Sequence, residues 1–112
     1  MTNVPQKAER IRTLNDNFRS TFIGGQVVMT AGVNELPMDV KAKALLMVKS
    51  FKDFTADNDP YGEHDFGFFE VAGDKFYWKI DYYDPDCRYG SEDPADPEKT
   101  ARVLTIMLAA EY

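Results

Sequence analysis

The sequence predicts a small α+β domain: three helices packed on one face of a mainly antiparallel three-stranded sheet, in the order helix, strand, helix, strand, strand, helix. Apolar residues recur at three- and four-residue spacing in three separate segments, the mark of amphipathic helices. The run FGFFEVAGDKFYWKIDYY reads as two aromatic, β-branched strands around a tight turn. The chain has 112 residues, enough for one hydrophobic core but not for two, so residues 1–112 are expected to form a single domain.

Over residues 6–22, Ile11, Leu14, Phe18 and Phe22 form an apolar stripe with charged residues between them, and Gly24 and Gly25 end the helix. QVVMTA, residues 26–31, is short, β-branched and bounded by Gly32, which predicts a strand. A second helix is expected from Pro37 to about Lys52. Pro37 suits a first turn, Asp39 sits at the positive end of the dipole, and Val40, Ala44, Met47, Val48 and Phe51 line one face.

In the hairpin, Gly73 and Asp74 are expected to supply the positive φ angles of a two-residue turn. That register pairs Val71 with Phe76, Phe69 with Trp78 and Gly67 with Ile80 on the core face. The other face then pairs Glu70 with Tyr77, Phe68 with Lys79, Phe66 with Asp81 and His64 with Tyr83. Phe69, Val71, Phe76, Trp78 and Ile80 should point inward, and Glu70, Tyr77, Lys79 and Asp81 outward. The first strand is expected to join this hairpin as a parallel neighbour through the second helix. Asp-Pro pairs at 84/85, 93/94 and 96/97 punctuate the loop that follows, each starting a turn or a helix. Asp96 and Pro97 then open a last helix, EKTARVLTIMLAAEY, with Val103, Ile106, Met107 and Ala110 on one face.

Apolar residues make up 44% and aromatics 13% of the chain, which excludes the polar, aromatic-poor signature of disorder. No apolar run approaches the length of a membrane span, and MTNVPQKAER lacks the apolar segment of a secretory signal, so a soluble cytoplasmic protein is expected. A lone cysteine, Cys87, fits a reducing compartment. The net charge of −6 disfavours direct binding to nucleic acid or to anionic membranes. Basic residues gather in the two N-terminal helices. Acids gather in loops 53–65 and 84–98, the second holding Asp84, Asp86, Glu92, Asp93, Asp96 and Glu98 against a single Arg88.

The stretch DNDPYGEHDFG, residues 57–67, contains the only histidine. It superficially follows a calcium loop, with Asp57 and Asp59 at positions one and three and Gly62 at six, but Phe68 stands where a bidentate glutamate belongs. A transition-metal site would draw on His64, Glu63 and Asp65. An acid/base or nucleophilic site would draw on His64, Asp81 and Cys87, unaccompanied by a Walker motif, GxGxxG or HExxH. The structural reading has Asp57 and Asp59 cap a turn around Pro60, with His64 bonding Asp81 or the Tyr83 hydroxyl across the sheet. No cofactor is expected.

The phrases LNDNFR, GGQVVMTAGV, FTADNDPYGEHDFG and WKIDYYDPDCRYGSEDPADPEKTARVLTIMLAAEY, in that order, resemble the bacterial family named domain of unknown function 3768, along nearly the whole chain. The resemblance implies no activity, cofactor or catalytic residue. It implies small stand-alone bacterial proteins, some near mobile or plasmid genes, a setting that admits an acidic protein occupying a basic surface on a nucleic-acid enzyme. The leading expectation is therefore a noncatalytic interaction module. Its acidic loops, through Asp57, Asp59, Glu63, Asp65, Asp84, Asp86, Glu92 and Asp93, would dock a basic protein surface. The alternative is a small hydrolase-like enzyme or metal-binding protein centred on His64 and Asp81.

Overall fold

Phe18, Val48, Trp78 and Ile106 are nearly or wholly withdrawn from solvent and belong to one core cluster, to which helices and strands all contribute. A computed structural model describes residues 6–112. Helix α1 spans Gln6–Thr21, strand β1 Gln26–Met29, a single-turn helix α2 Ala31–Asn34 and helix α3 Met38–Ser50. Strands β2, Phe66–Val71, and β3, Asp74–Tyr83, form the hairpin, and strand β4 spans Ala101–Leu108. Among the described residues the fold is thus α+β with three α-helices, but the sheet is four-stranded and mixed, in the order β1-β4-β3-β2.

The last segment corrects the sequence reading, because ARVLTIML is a strand and not a helix. Asp96 does cap Pro97, its carboxylate accepting the Glu98 N–H at 2.9 Å, but only one 3₁₀ turn follows. The physical reason lies in Val103, Thr105 and Ile106, whose branched Cβ atoms favour extended backbone, and in the buried position between two strands. A central strand reads as a nearly continuous apolar run, which also satisfies a helical period. Strand β1 is parallel as expected, but its neighbour is β4, which separates it from the hairpin. The helix α2 was not anticipated.

The hairpin register also differs. Val71 pairs with Asp74, Phe69 with Phe76 and Gly67 with Trp78, so Ala72 and Gly73, at φ 54° and 84°, form the turn. The shift is two residues from the expected register. A two-residue slip preserves the faces, so Phe69, Phe76, Trp78 and Ile80 are buried as expected. Packing explains the shift: Gly67 sits under the Trp78 indole, and a Cβ there would lie 2.5 Å from its nitrogen and 2.8 Å from the Phe51 ring. Only glycine leaves room for that ring.

Helices cover one sheet face. Phe18 of α1, Val33 of α2 and Ala44 and Val48 of α3 pack against Phe69, Phe76, Trp78, Ile80, Leu104 and Ile106. The opposite face carries Phe66, Phe68 and Tyr77, and the C-terminal turn brings Tyr112 against it, with ring centroids 5.0 Å from Tyr77 and 5.8 Å from Phe66. The carboxylate of Glu111 secures that turn by accepting from the Thr30 hydroxyl and the Gly32 and Leu108 N–H groups. Among the described residues, no helix is long and apolar enough to cross a membrane.

Candidate functional site

Helix α1 presents polar side chains to loop 53–65 at the end of the sheet where β3 finishes. Arg12 donates to the Gly62 carbonyl at 3.3 Å, and Asn15 to the Glu63 carbonyl at 3.0 Å. Asp16 lies 2.8 Å from Nδ1 of His64, whose other ring nitrogen is 3.6 Å from the Asp59 carboxylate. The imidazole stacks on Phe54 with centroids 3.8 Å apart and planes 2° from parallel. Asp59 also accepts the His64 N–H at 3.0 Å, which holds His64 at φ 56°. Arg19, buried, pairs with Asp16 at 3.1 Å and donates to the carbonyls of Val48 and Phe51 at 2.8 and 3.0 Å, closing the C-terminal end of α3. Arg12, Asn15 and Asp16 thus pin the loop to α1, and Arg19 ties α1 to the end of α3.

A second network lies deeper. Asn15, fully buried, donates to the Tyr82 hydroxyl at 2.8 Å, and that hydroxyl donates to the Glu63 carboxylate at 2.9 Å. Arg102 donates through Nε to Asn15 at 2.8 Å, binds the Pro94 carbonyl, and lies over the Tyr82 ring at 5.3 Å. Burial pushes the Tyr82 phenol well above its ordinary range, so it stays a neutral donor, and burial lowers Arg102. Burial, with the charges of Glu63, Asp59 and Asp81, raises Asp65 to about 6.

The candidates singled out in the sequence do not share one centre. His64 bonds neither Asp81 nor Tyr83 as expected, because it precedes β2 and turns toward α1. Asp81 pairs instead with Lys79 at 2.9 Å. Cys87 is exposed in the turn after β3, its N–H bound to the Asp84 carbonyl. Among the described residues, no three His, Cys, Asp or Glu side chains converge as a metal requires.

The eight acids expected to meet a partner divide into two groups. Asp59, Glu63, Asp84 and Asp93 each accept a hydrogen bond from the chain itself, and Asp65 is half-buried. Asp57, Asp86 and Glu92 are exposed. Asn15, Asp16, Arg19 and Arg102 were missed. Asn15 had a signal, since it stands four residues after Ile11 and three before Phe18, in the apolar stripe itself.

A separate depression lies beside β2. A cavity of about 830 Å³ is lined by Phe66, Phe68, Tyr77 and Tyr112, with Phe51 on the helix side and Asp53 and Asp57 on its rim. A second depression continues it along β2, sharing Phe51, Asp53 and Phe68 and ending at Glu70. The two form one trough with an aromatic floor.

The family profile of a protein of unknown function, DUF3768, matches residues 29–111. The chain belongs to this family. The matched span holds His64, Tyr82, Arg102 and the trough residues other than Tyr112, whereas Asn15, Asp16 and Arg19 of α1 precede it. The DUF3768 description assigns no activity, so no residue takes a role from it. No curated protein and no solved structure matches the chain.

Proposed function

We propose that this DUF3768 chain is a noncatalytic protein-interaction module that captures a basic segment of a partner protein. One observation carries the reading: the trough beside β2 joins an aromatic floor to an acidic rim. Phe68 is 47% exposed and Tyr112 70%, a concentration of aromatic surface that an isolated domain ordinarily covers. Asp53, Asp57 and Glu70 border the two depressions against Lys52 alone. Aromatic groups supply contact area, and the acids select the sign of the partner's charge. Asp57 belongs to acidic loop 53–65, and exposed Asp86 in loop 84–98 adds to the negative field, while Glu92 there pairs with Lys99 at 3.6 Å.

Fluorescence anisotropy of a labelled peptide alternating lysine with valine, about ten residues long, tests the reading against the same peptide with glutamate for lysine. The lysine peptide should bind and the glutamate peptide should not. Equal binding of the two, or of neither, overturns the proposal.

A further inference from the structure

Strand β2 is an edge of the sheet, and its unpaired side runs along the trough. The Asp65 carbonyl accepts the Ile80 N–H at 2.9 Å, which sets the phase of the antiparallel ladder. Hydrogen-bonded pairs therefore fall at Gly67–Trp78, Phe69–Phe76 and Val71–Asp74, whereas Phe66, Phe68 and Glu70 occupy non-hydrogen-bonded pairs. Those three residues turn their N–H and C=O groups away from β3. No hydrogen bond ties them to any other part of the described chain.

An open edge of this kind is a template for another strand, and proteins ordinarily blunt it with lysine, proline, a bulge or a cover. Here β2 carries none of these: FGFFEV holds one charge, Glu70, and aromatic side chains on both faces. Resting on the interaction reading above, we infer that the partner segment enters as an additional strand on β2, hydrogen-bonded to Phe66, Phe68 and Glu70. Its side chains alternate between the two faces. Apolar ones lie beside Phe66 and Phe68 on the open face. Basic ones reach Asp53, which lines both depressions of the trough. A second copy of the chain fits less well, since it would bring two surfaces of net charge −6 and two acidic margins together.

Amide hydrogen exchange by NMR on the intact protein, with and without the lysine–valine peptide, tests the pairing. Exchange at Phe66, Phe68 and Glu70 should slow about tenfold or more on binding, while Gly67, Phe69 and Val71, already bonded to β3, change little. The variant Phe68→Pro removes one outward N–H without touching the β3 ladder, and should abolish binding while Phe68→Leu retains it. Should Phe68→Pro fail to fold, the exchange pattern of the unmutated protein decides alone. Shifts of the Phe66, Tyr77 and Tyr112 rings without amide protection would overturn strand addition and leave the trough as the binding site. No change at the trough overturns both. Protection that rises with protein concentration in the absence of peptide would make a second copy the occupant and overturn the basic partner.

Discussion

Asn15 occupies a place in the apolar stripe of α1 where a leucine would pack, and it is retained there by three partners that no leucine can serve. It donates to Glu63 and Tyr82 and accepts from Arg102. Asn15→Leu leaves the buried Arg102 Nε unpartnered and the Tyr82 hydroxyl short of a donor, so it should cost about 2–4 kcal/mol, read as a lower urea midpoint. Asp65 sits nearby, and its raised value of about 6 carries a direction. A carboxyl whose folded pKa exceeds its unfolded one, about 3.9, is favourable to folding when protonated. That contribution is complete below about pH 4 and is lost as pH rises through 6. Asp65→Asn should therefore stabilise the protein by about 1 kcal/mol at pH 7, after allowance for solvent screening, and by little at pH 4. Urea titrations at the two pH values give the difference, and equal gains at both would contradict this origin.

At the scale of elements, the hairpin rests on Gly67 as much as on its turn. Gly67→Ala places a Cβ against Trp78 and Phe51, in a core without space for it, and should cost about 1–3 kcal/mol, measured as a fall in melting temperature. The faces of this hairpin were legible in the sequence because alternation survives a slip of two residues. The register was not, because Ala72, at φ 54°, adopts a conformation that its residue type does not advertise. The α1 and α3 helices were legible from their apolar stripes. Strand β4 was not, since its apolar run fits both periods and its character comes from β1 and β3 on either side. In the candidate site, the capping role of Asp59 could be read locally, but that expected of Asp57 is not seen: among the described residues no hydrogen bond reaches its carboxylate, and Asn58 accepts the Thr55 N–H instead. The partners of His64 could not be read, because Asp16 lies 48 residues away in sequence and only packing brings it close.

Across the whole molecule, the helices and their charged anchors occupy one face of the sheet and hold loop 53–65 in place. The β2 edge and the aromatic floor are left open beside that loop. Most acids of the two loops serve the fold. The exposed remainder, with the trough, supplies a recognition surface whose selectivity is electrostatic and whose contact area is aromatic. Exposed charges lose their reach as salt shortens the screening length, while aromatic burial does not. The central claim is tested most directly by the affinity of the lysine–valine peptide between about 50 and 500 mM salt, for the unmutated protein and for Asp53→Lys/Asp57→Lys. Binding by the unmutated chain should weaken steadily with salt, and the double variant should bind weakly at every salt concentration. Affinity indifferent to salt, or unchanged in the double variant, would contradict capture of a basic segment at this trough.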